Sequence, residues 1–234
     1  MPNFKVFTIF PELFPGCLAA SVTGIALAKK LWQIEAIDIR QYAKDKHKAV
    51  DDIVYGGGSG MLLKPDVIAN SLESNLDFLT NKNPKRKIIY LSPRGKLFDQ
   101  KMAANFANLE EIAILCGRYE GVDQRVLNEF EIEEISIGDY VLSGGEIAAF
   151  PFIDAIIRNI PDVLGGGKSL CEESFGSDKN PEFQSLLEYD QYTRPNEWRG
   201  KKVPDVLISG NHQKIKEWRF ENAKKITKKN RPDL

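Results

Sequence analysis

Three glycine-bearing stretches carry the residue types best able to build a ligand site. Residues 92–95 read SPRG, residues 117–123 read GRYEGVD and residues 138–146 read GDYVLSGGE. Each follows a short apolar run: KIIYL, IAILC or ISI. Glycine at a strand end lets the backbone turn sharply or come close to a ligand. Ligands of parallel α/β sheets gather at the carboxyl ends of the strands. Three such turns in successive units can therefore aim backbone N–H and C=O groups at one planar molecule. The YGGGSG stretch at 55–60 is weaker, since no Lys-Ser/Thr follows and it is no Walker loop. Its G-x-G-x-G would suit a nucleotide only after an apolar strand, and DDIVY precedes it instead. A structural or substrate-facing loop fits it better. By residue type alone, Arg158 is a cation closing an apolar helix, and Glu172 and Glu173 are solvated carboxylates.

Hydrophobic periodicity gives the elements that must position these stretches. Residues 4–10 (FKVFTIF) read as a buried strand and residues 34–40 (IEAIDIR) alternate like a half-buried one. Residues 87–91, 112–116 and 132–137 give further strands. Helices are predicted over 18–31, 65–77 (Pro65 at its first position), 124–130 and 146–158. Another, capped by Asp99, carries Met102, Phe106 and Leu109 inward. Ser143 and Glu146 have the S-x-x-E spacing of a capping box. Strands alternating with helices predict an α/β domain with a mainly parallel sheet. The pattern breaks at LGGGKSLCEESFGSDKNPEF, residues 164–183, which reads as a flexible linker. Beyond it, a helix over 212–228 carries Ile215, Trp218, Asn222 and Ile226 on one face and basic residues elsewhere. The division is a catalytic domain at 1–163, a linker at 164–182 and a small helical domain at 183–234.

The 234 residues carry 32 Lys and Arg against 33 Asp and Glu, a net charge of −1, with 42% hydrophobic residues. Such a chain buries a core without staples. The small net charge hides segregation. Residues 110–146 hold ten acids and two arginines, residues 201–234 ten bases and four acids, and residues 82–101 seven bases and one acid. A segregated basic patch suggests a polyanion partner, against the plainer alternative of solvated helix faces. No apolar run reaches the roughly 20 residues that span a bilayer, so no membrane association is expected. The N-terminus lacks a basic start and an unbroken apolar stretch, so no secretory leader is expected. Cys17, Cys116 and Cys171 form no C-x-x-C, and His47 and His212 cannot make a multi-His site. A reducing cytoplasm and no metal centre are the expectations.

YLSPRG, CGRYEGVDQRV, SIGDYVLSGGE, IPDVLG, YTRP and LISGNH, with FPELF, VDDIVYGGGSGM and IKEWR, resemble one family. It is the bacterial tRNA (guanine-N1)-methyltransferase family TrmD, of the SPOUT class. The resemblance runs over about residues 7–232. It implies a trefoil-knotted, mainly parallel α/β domain followed by a small C-terminal helical domain. It implies S-adenosylmethionine as methyl donor, and a homodimer whose composite active sites draw on both chains. The implied substrate is tRNA, methylated at N1 of the guanosine immediately 3′ of the anticodon. Members of the family are associated with Mg2+, although no ligand cluster in this sequence demands a metal.

By this resemblance the cofactor site takes Tyr90, Leu91, Ser92 and Pro93 from the first stretch. It takes Gly117, Tyr119, Glu120 and Gly121 from the second. From the third it takes Ser136, Ile137, Gly138, Tyr140, Val141, Leu142, Gly144 and Gly145. Glu120 is the candidate partner for the positive methionine end of the cofactor. Guanine N1 must lose a proton to become a good nucleophile, which is work for a carboxylate base. A guanidinium can then meet the charge that grows on O6. The family gives these roles to a linker Asp and to an Arg at the end of the knot helix. Arg158 matches the Arg. Glu173 stands at the Asp position, in EESF where the family reads EDSF, so the carboxylate is kept with one more methylene. The stretch between Phe175 and Tyr192 is longer than the family pattern, and the acid preceding YTRP is Glu188 or Asp190. Lys214, Lys216, Arg219, Lys224, Lys225, Lys228 and Lys229 are candidate contacts for tRNA phosphates. Trp218 reads as core rather than as a stacking surface. Arg194 reads equally as an RNA contact or as part of a structural ion pair.

Overall fold

The computed structural model describes residues 1–58, 60–80, 83–164, 172–176 and 180–234. The chain divides into two compact units, Met1–Leu164 and Gly165–Leu234. In chain order the first runs β1 (Asn3–Thr8), α1 (Ser21–Ala28), β2 (Gln33–Asp38), β3 (Asp51–Ile53), β4 (Met61–Leu63) and α2 (Pro65–Asn75). It continues with β5 (Arg86–Leu97), α3 (Gln100–Phe106), β6 (Glu111–Leu115), α4 (Gln124–Glu129), β7 (Glu133–Ser136) and α5 (Gly145–Ile157).

Five of these strands form a sheet in the order β2-β1-β6-β5-β7, with every pairing parallel. Strand alternation sends successive side chains to opposite faces. Phe4, Val6, Ile112 and Ile114 pack on one face with Phe152, Ile153 and Ile156 of α5 and Met102 of α3. Phe7, Ile88, Ala113 and Leu115 pack on the other with Ile68 and Leu72 of α2 and Val126 and Leu127 of α4. Helices on both faces follow from regular strand–helix alternation, and the expected α/β class with a parallel sheet is what the chain forms. β3 and β4 make a separate antiparallel hairpin. Its connection contains Gly56, Gly57 and Gly58 at φ of +93°, +87° and +128°, a backbone region that disfavours side chains. Gly56, Gly57 and Gly58 of YGGGSG thus belong to a hairpin connection.

Two elements depart from the periodicity. The helix expected over 18–31 is broken into a 3-10 turn, Gly16–Ala19, and α1, with Ala20 extended between them and Ser21, the first residue of α1, at φ +52°. The break is tight: a Cβ on Gly24 would lie 2.1 Å from the Ala19 carbonyl oxygen. The strand expected at 87–91 continues to Leu97. Leu91 and Lys96 both register with Ile135 of β7, so residues 92–95 leave the ladder as a bulge. The SPRG stretch is an extrusion from a strand rather than the loop after one.

The second unit holds β8 (Glu197–Trp198), β9 (Lys201–Lys202), α6 (Asp205–Ile208) and α7 (His212–Asn230). Asn211 caps α7, its side chain accepting from Lys214 N at 3.1 Å. The core is small: Phe183, Tyr189 and Ala223, with Leu186, Trp218 and Phe220 packed on it. The buried line of α7 is Ala223 and Thr227, while Ile215, Asn222 and Ile226 are half-buried. Thr227 turns inward because its hydroxyl oxygen accepts from Leu187 N at 2.8 Å. Of the expected flexible linker, residues 165–171 and 177–179 lie outside the described residues. Among the described residues, no single helix is long and apolar enough to cross a membrane.

Candidate functional site

At the carboxyl ends of β5, β6 and β7 lies a cavity of about 330 Å³. One wall is the bulge of β5, the second is the turn after β6, and the third is the segment from Ser136 to Gly145. All sixteen cofactor-site candidates taken from the three stretches line this one cavity, joined by Arg94, Arg118 and Ser143 among others. Gly56, Gly57, Gly58 and Gly60 are not in the lining.

The glycines are explained by what surrounds them. A Cβ on Gly117 would lie 2.8 Å from the Tyr90 hydroxyl, and so would one on Gly121, which sits at φ +112°. The Tyr90 ring therefore lies flush against the second wall. Burial pushes its hydroxyl pKa up, and the charge of Glu134 adds to this while Arg94 opposes it. A Cβ on Gly145 would lie 2.8 Å from both Cys116 Cα and Gly117 N, and Gly145 N donates to Gly117 O at 2.9 Å. The first residue of α5 is thereby docked on the chain leaving β6. The β3–β4 hairpin backs the second wall: Glu120 N donates to Met61 O at 2.9 Å and Leu63 N to Gly121 O at 3.0 Å. In the third wall, Tyr140 Oη donates to Ile137 O at 3.1 Å, and the Ser136 hydroxyl bonds the backbone of Gly138.

The capping box does not form. Gly144 is the N-cap residue of α5, and it makes no side-chain cap bond. Glu146 is instead fully buried, accepting from Thr8 Oγ1 at 2.6 Å and from Arg118 Nε at 2.8 Å. Arg118 also donates from Nη1 to Ser143 O at 3.2 Å and lies over the Phe10 ring at 4.5 Å. A buried carboxylate is tolerable only when paired in this way. The cause lies in the helix face: Glu146 shares it with buried Ala149, Ile153 and Ile156, at helical spacing. That register drives the side chain inward, where it joins the end of β1 to two cavity walls. Arg118 was missing from the sequence-based set, and the carboxylate on the apolar face of α5 was the available signal for it. Cys116 lies beside this pair; its burial raises its thiol well above the usual range, and the charge of Glu146 adds to the rise.

The two catalytic candidates belong to different units. Arg158 follows α5 as its C-cap residue, half-buried, with its N–H donating to Asp154 O at 3.0 Å. Glu173 is half-buried in the second unit, on a stretch tied down at several points. Glu172 accepts from Tyr189 Oη at 2.7 Å and from Arg219 Nη1 at 3.1 Å. Ser174 Oγ accepts from Glu188 N at 2.9 Å, and Phe175 N donates to Leu186 O at 2.8 Å. This part of the expected flexible linker is therefore fastened to residues 186–189 by both side-chain and backbone bonds. Burial, then the bond to Glu172, pushes the Tyr189 hydroxyl up to about 12. Of the basic candidates on α7, Arg219 pairs with Glu172, Lys216 with Glu182 at 3.6 Å and Lys224 with Glu221 at 3.0 Å. Lys214, Lys225, Lys228 and Lys229 are exposed. Among the described residues, no three His, Cys, Asp or Glu side chains are grouped to hold a metal ion.

Comparison with known proteins fits this geometry. The family model described as tRNA (Guanine-1)-methyltransferase TrmD matches residues 2–234. The chain is 49% identical over 232 residues to the tRNA (guanine-N(1)-)-methyltransferase of Ehrlichia canis (strain Jake), covering 99% of this chain and 94% of that protein. It is 50% identical over 230 residues to the enzyme of that name from Ruegeria sp. (strain TM1040), covering 98% and 90%. The identity to the Pelagibacter ubique (strain HTCC1062) protein of that name is 47% over 230 residues, covering 98% and 95%. The chain belongs to the tRNA (guanine-1)-methyltransferase family TrmD.

Proposed function

We propose that this protein transfers a methyl group from S-adenosylmethionine to N1 of the guanosine immediately 3′ of the tRNA anticodon. One observation carries the reading: three separate family-matching stretches converge on a single cavity. The cavity suits the donor. Its volume, about 330 Å³, falls in the range of small-molecule pockets, roughly 300–1,000 Å³. Leu91, Ile137 and Leu142 offer apolar walls for an adenine, and Gly117, Gly138 and Gly144 leave backbone groups within its reach. Exposed Glu120 suits the cationic methionine end. S-adenosylmethionine, when bound, supplies a methyl group activated on a sulfonium sulfur.

The chain's own residues then handle protons and charge. Glu173 takes the N1 proton of guanine as general base, a role typically contributing about 10²–10⁴-fold. Arg158 meets the negative charge developing on O6. Glu172, Ser174 and Phe175 hold the backbone on either side of Glu173. Exposed cations on α7 support a polyanionic substrate. The trefoil knot, a homodimer with composite active sites and a cytoplasmic location belong to the same reading. Exposed Ile25, Val141 and Ile147 of the first unit give a second copy apolar surface to cover. No step is assigned to Mg2+.

The test uses radiolabelled S-adenosylmethionine and unmodified tRNA transcripts. Label should enter a transcript with guanosine 3′ of the anticodon and appear as 1-methylguanosine after digestion. Replacing that guanosine by adenosine should abolish incorporation; equal labelling of both transcripts would overturn the assignment.

A further inference from the structure

We infer that Trp198, on the β8–β9 hairpin, is a stacking platform for an unpaired base of the RNA substrate. The inference rests on the tRNA reading above and adds to it a residue and a kind of contact. Trp198 is 58% exposed, whereas Trp32 is fully buried and Trp218 packs on the core of its unit. The hairpin explains how it is presented. Arg199 and Gly200 sit at φ +51° and +74°, positive at both central positions as a two-residue type I′ connection demands. Trp198 pairs directly with Lys201, and Glu197 with Lys202, so the indole and the Lys201 side chain stand on one face. Glu197 and Lys202 pair at 3.9 Å on the other. The Arg199 guanidinium already lies over the indole, 4.8 Å from the ring centroid. A planar group therefore reaches this π-face without any rearrangement of the hairpin.

The charge around the ring selects the occupant. Residues 194–202 hold Arg194, Arg199, Lys201 and Lys202 against Glu197 alone, and all five are exposed. An apolar protein partner would have to desolvate these cations. A single-stranded polyanion uses them, its phosphates meeting the Lys and Arg side chains and a base lying on the indole. Arg199 either retains its place, sandwiching the ring from one side, or yields that face to the base. Both arrangements keep the cation beside the phosphate backbone.

The experiment measures binding of an unmodified tRNA transcript to the full chain, by fluorescence anisotropy of labelled RNA over a range of salt concentrations. Trp198→Ala should weaken binding by roughly 5- to 100-fold, the scale of one lost base stack. Trp198→Phe should recover most of the loss, because a phenyl ring still stacks. The salt dependence should be unchanged in Trp198→Ala and shallower in Lys201→Ala, since stacking releases no counterions. S-adenosylmethionine affinity should match wild type in all three variants, and an unchanged urea-unfolding midpoint certifies their folding. Wild-type affinity in Trp198→Ala, with wild-type RNA binding intact, would overturn the platform and leave the tRNA reading standing. A change of sedimentation in Trp198→Ala would make the indole a protein contact and overturn the platform as well. A wild-type chain that binds no transcript would overturn the tRNA reading itself.

Discussion

Glu146 and Arg118 form a 2.8 Å ion pair behind the cavity, with the carboxylate fully buried and the guanidinium side chain 20% exposed. The pair ties the start of α5, just past the third wall, to the turn after β6 that forms the second wall, because Glu146 is the second residue of α5 and Arg118 lies in that turn. A Cβ on Gly144 would lie 2.3 Å from Arg118 Nε, so the arginine passes directly over the third wall. Removing one partner of a buried pair leaves an uncompensated charge and costs about 3–5 kcal/mol in a dry interior. Partial exposure of Arg118 moves the expected cost of Glu146→Leu to about 2–3 kcal/mol. Urea unfolding should show this as a lower midpoint at unchanged slope. The double variant Glu146→Leu, Arg118→Met should recover most of the loss. A single variant as stable as wild type would remove the pair from the account.

Gly145 tests the docking of α5. The atoms that an added Cβ would meet are backbone, Cys116 Cα and Gly117 N, which cannot swing away. Gly145→Ala must therefore displace the helix start from the second wall. S-adenosylmethionine binding, measured by calorimetry, should weaken at least tenfold, a shift of about 1.4 kcal/mol. Unchanged affinity would mean that the spacing of these two walls is irrelevant to the ligand.

The sequence carried the convergence of the three stretches because it rests on simple rules. Phe4, Val6, Ile112 and Ile114 alternate with period two, helices intervene, and a parallel sheet then gathers strand ends at one edge. What escaped it was side-chain direction. Ser143 and Glu146 have capping-box spacing, yet the helix register turns Glu146 toward Thr8. Arg118 resembled any solvated loop cation until its partner was seen. The bulge of β5 escaped for a related reason: pairing of both Leu91 and Lys96 with Ile135 is a long-range fact that no local pattern encodes. Likewise EESF has the composition of a linker, and its bonds to residues 186–189 depend on the fold of the second unit.

The Tyr189 hydroxyl provides a test of those bonds. Its native pKa is raised to about 12, against about 10 for an unfolded tyrosine. The native state thus holds this proton more tightly. The stability it contributes is fully present below about pH 10 and is lost as pH rises from there through about 12. The difference in phenolate absorbance between wild type and Tyr189→Phe should titrate near pH 12. A difference titrating near pH 10 would contradict the buried bond to Glu172.

Cysteine reactivity should separate Cys17 from Cys116. Cys17 is exposed, whereas Cys116 is buried with its thiol pKa raised by desolvation and by the neighbouring Glu146 charge. Only the thiolate reacts rapidly with disulfide reagents. Peptide mapping after brief treatment of the native protein should find Cys17 modified and Cys116 protected until denaturant is added. Rapid native modification of Cys116 would contradict the closed packing behind the second wall.

The central claim is that a chain residue deprotonates guanine N1 for transfer of a methyl group from S-adenosylmethionine. Single-turnover methylation of an unmodified tRNA transcript, with wild type and Glu173→Gln side by side, tests it most directly. Wild type should form 1-methylguanosine immediately 3′ of the anticodon. Glu173→Gln should lose about 10²–10⁴-fold in rate, with S-adenosylmethionine and tRNA affinities unchanged. A full-rate Glu173→Gln variant would contradict the assignment of the base, and a wild type forming no 1-methylguanosine would contradict the function itself.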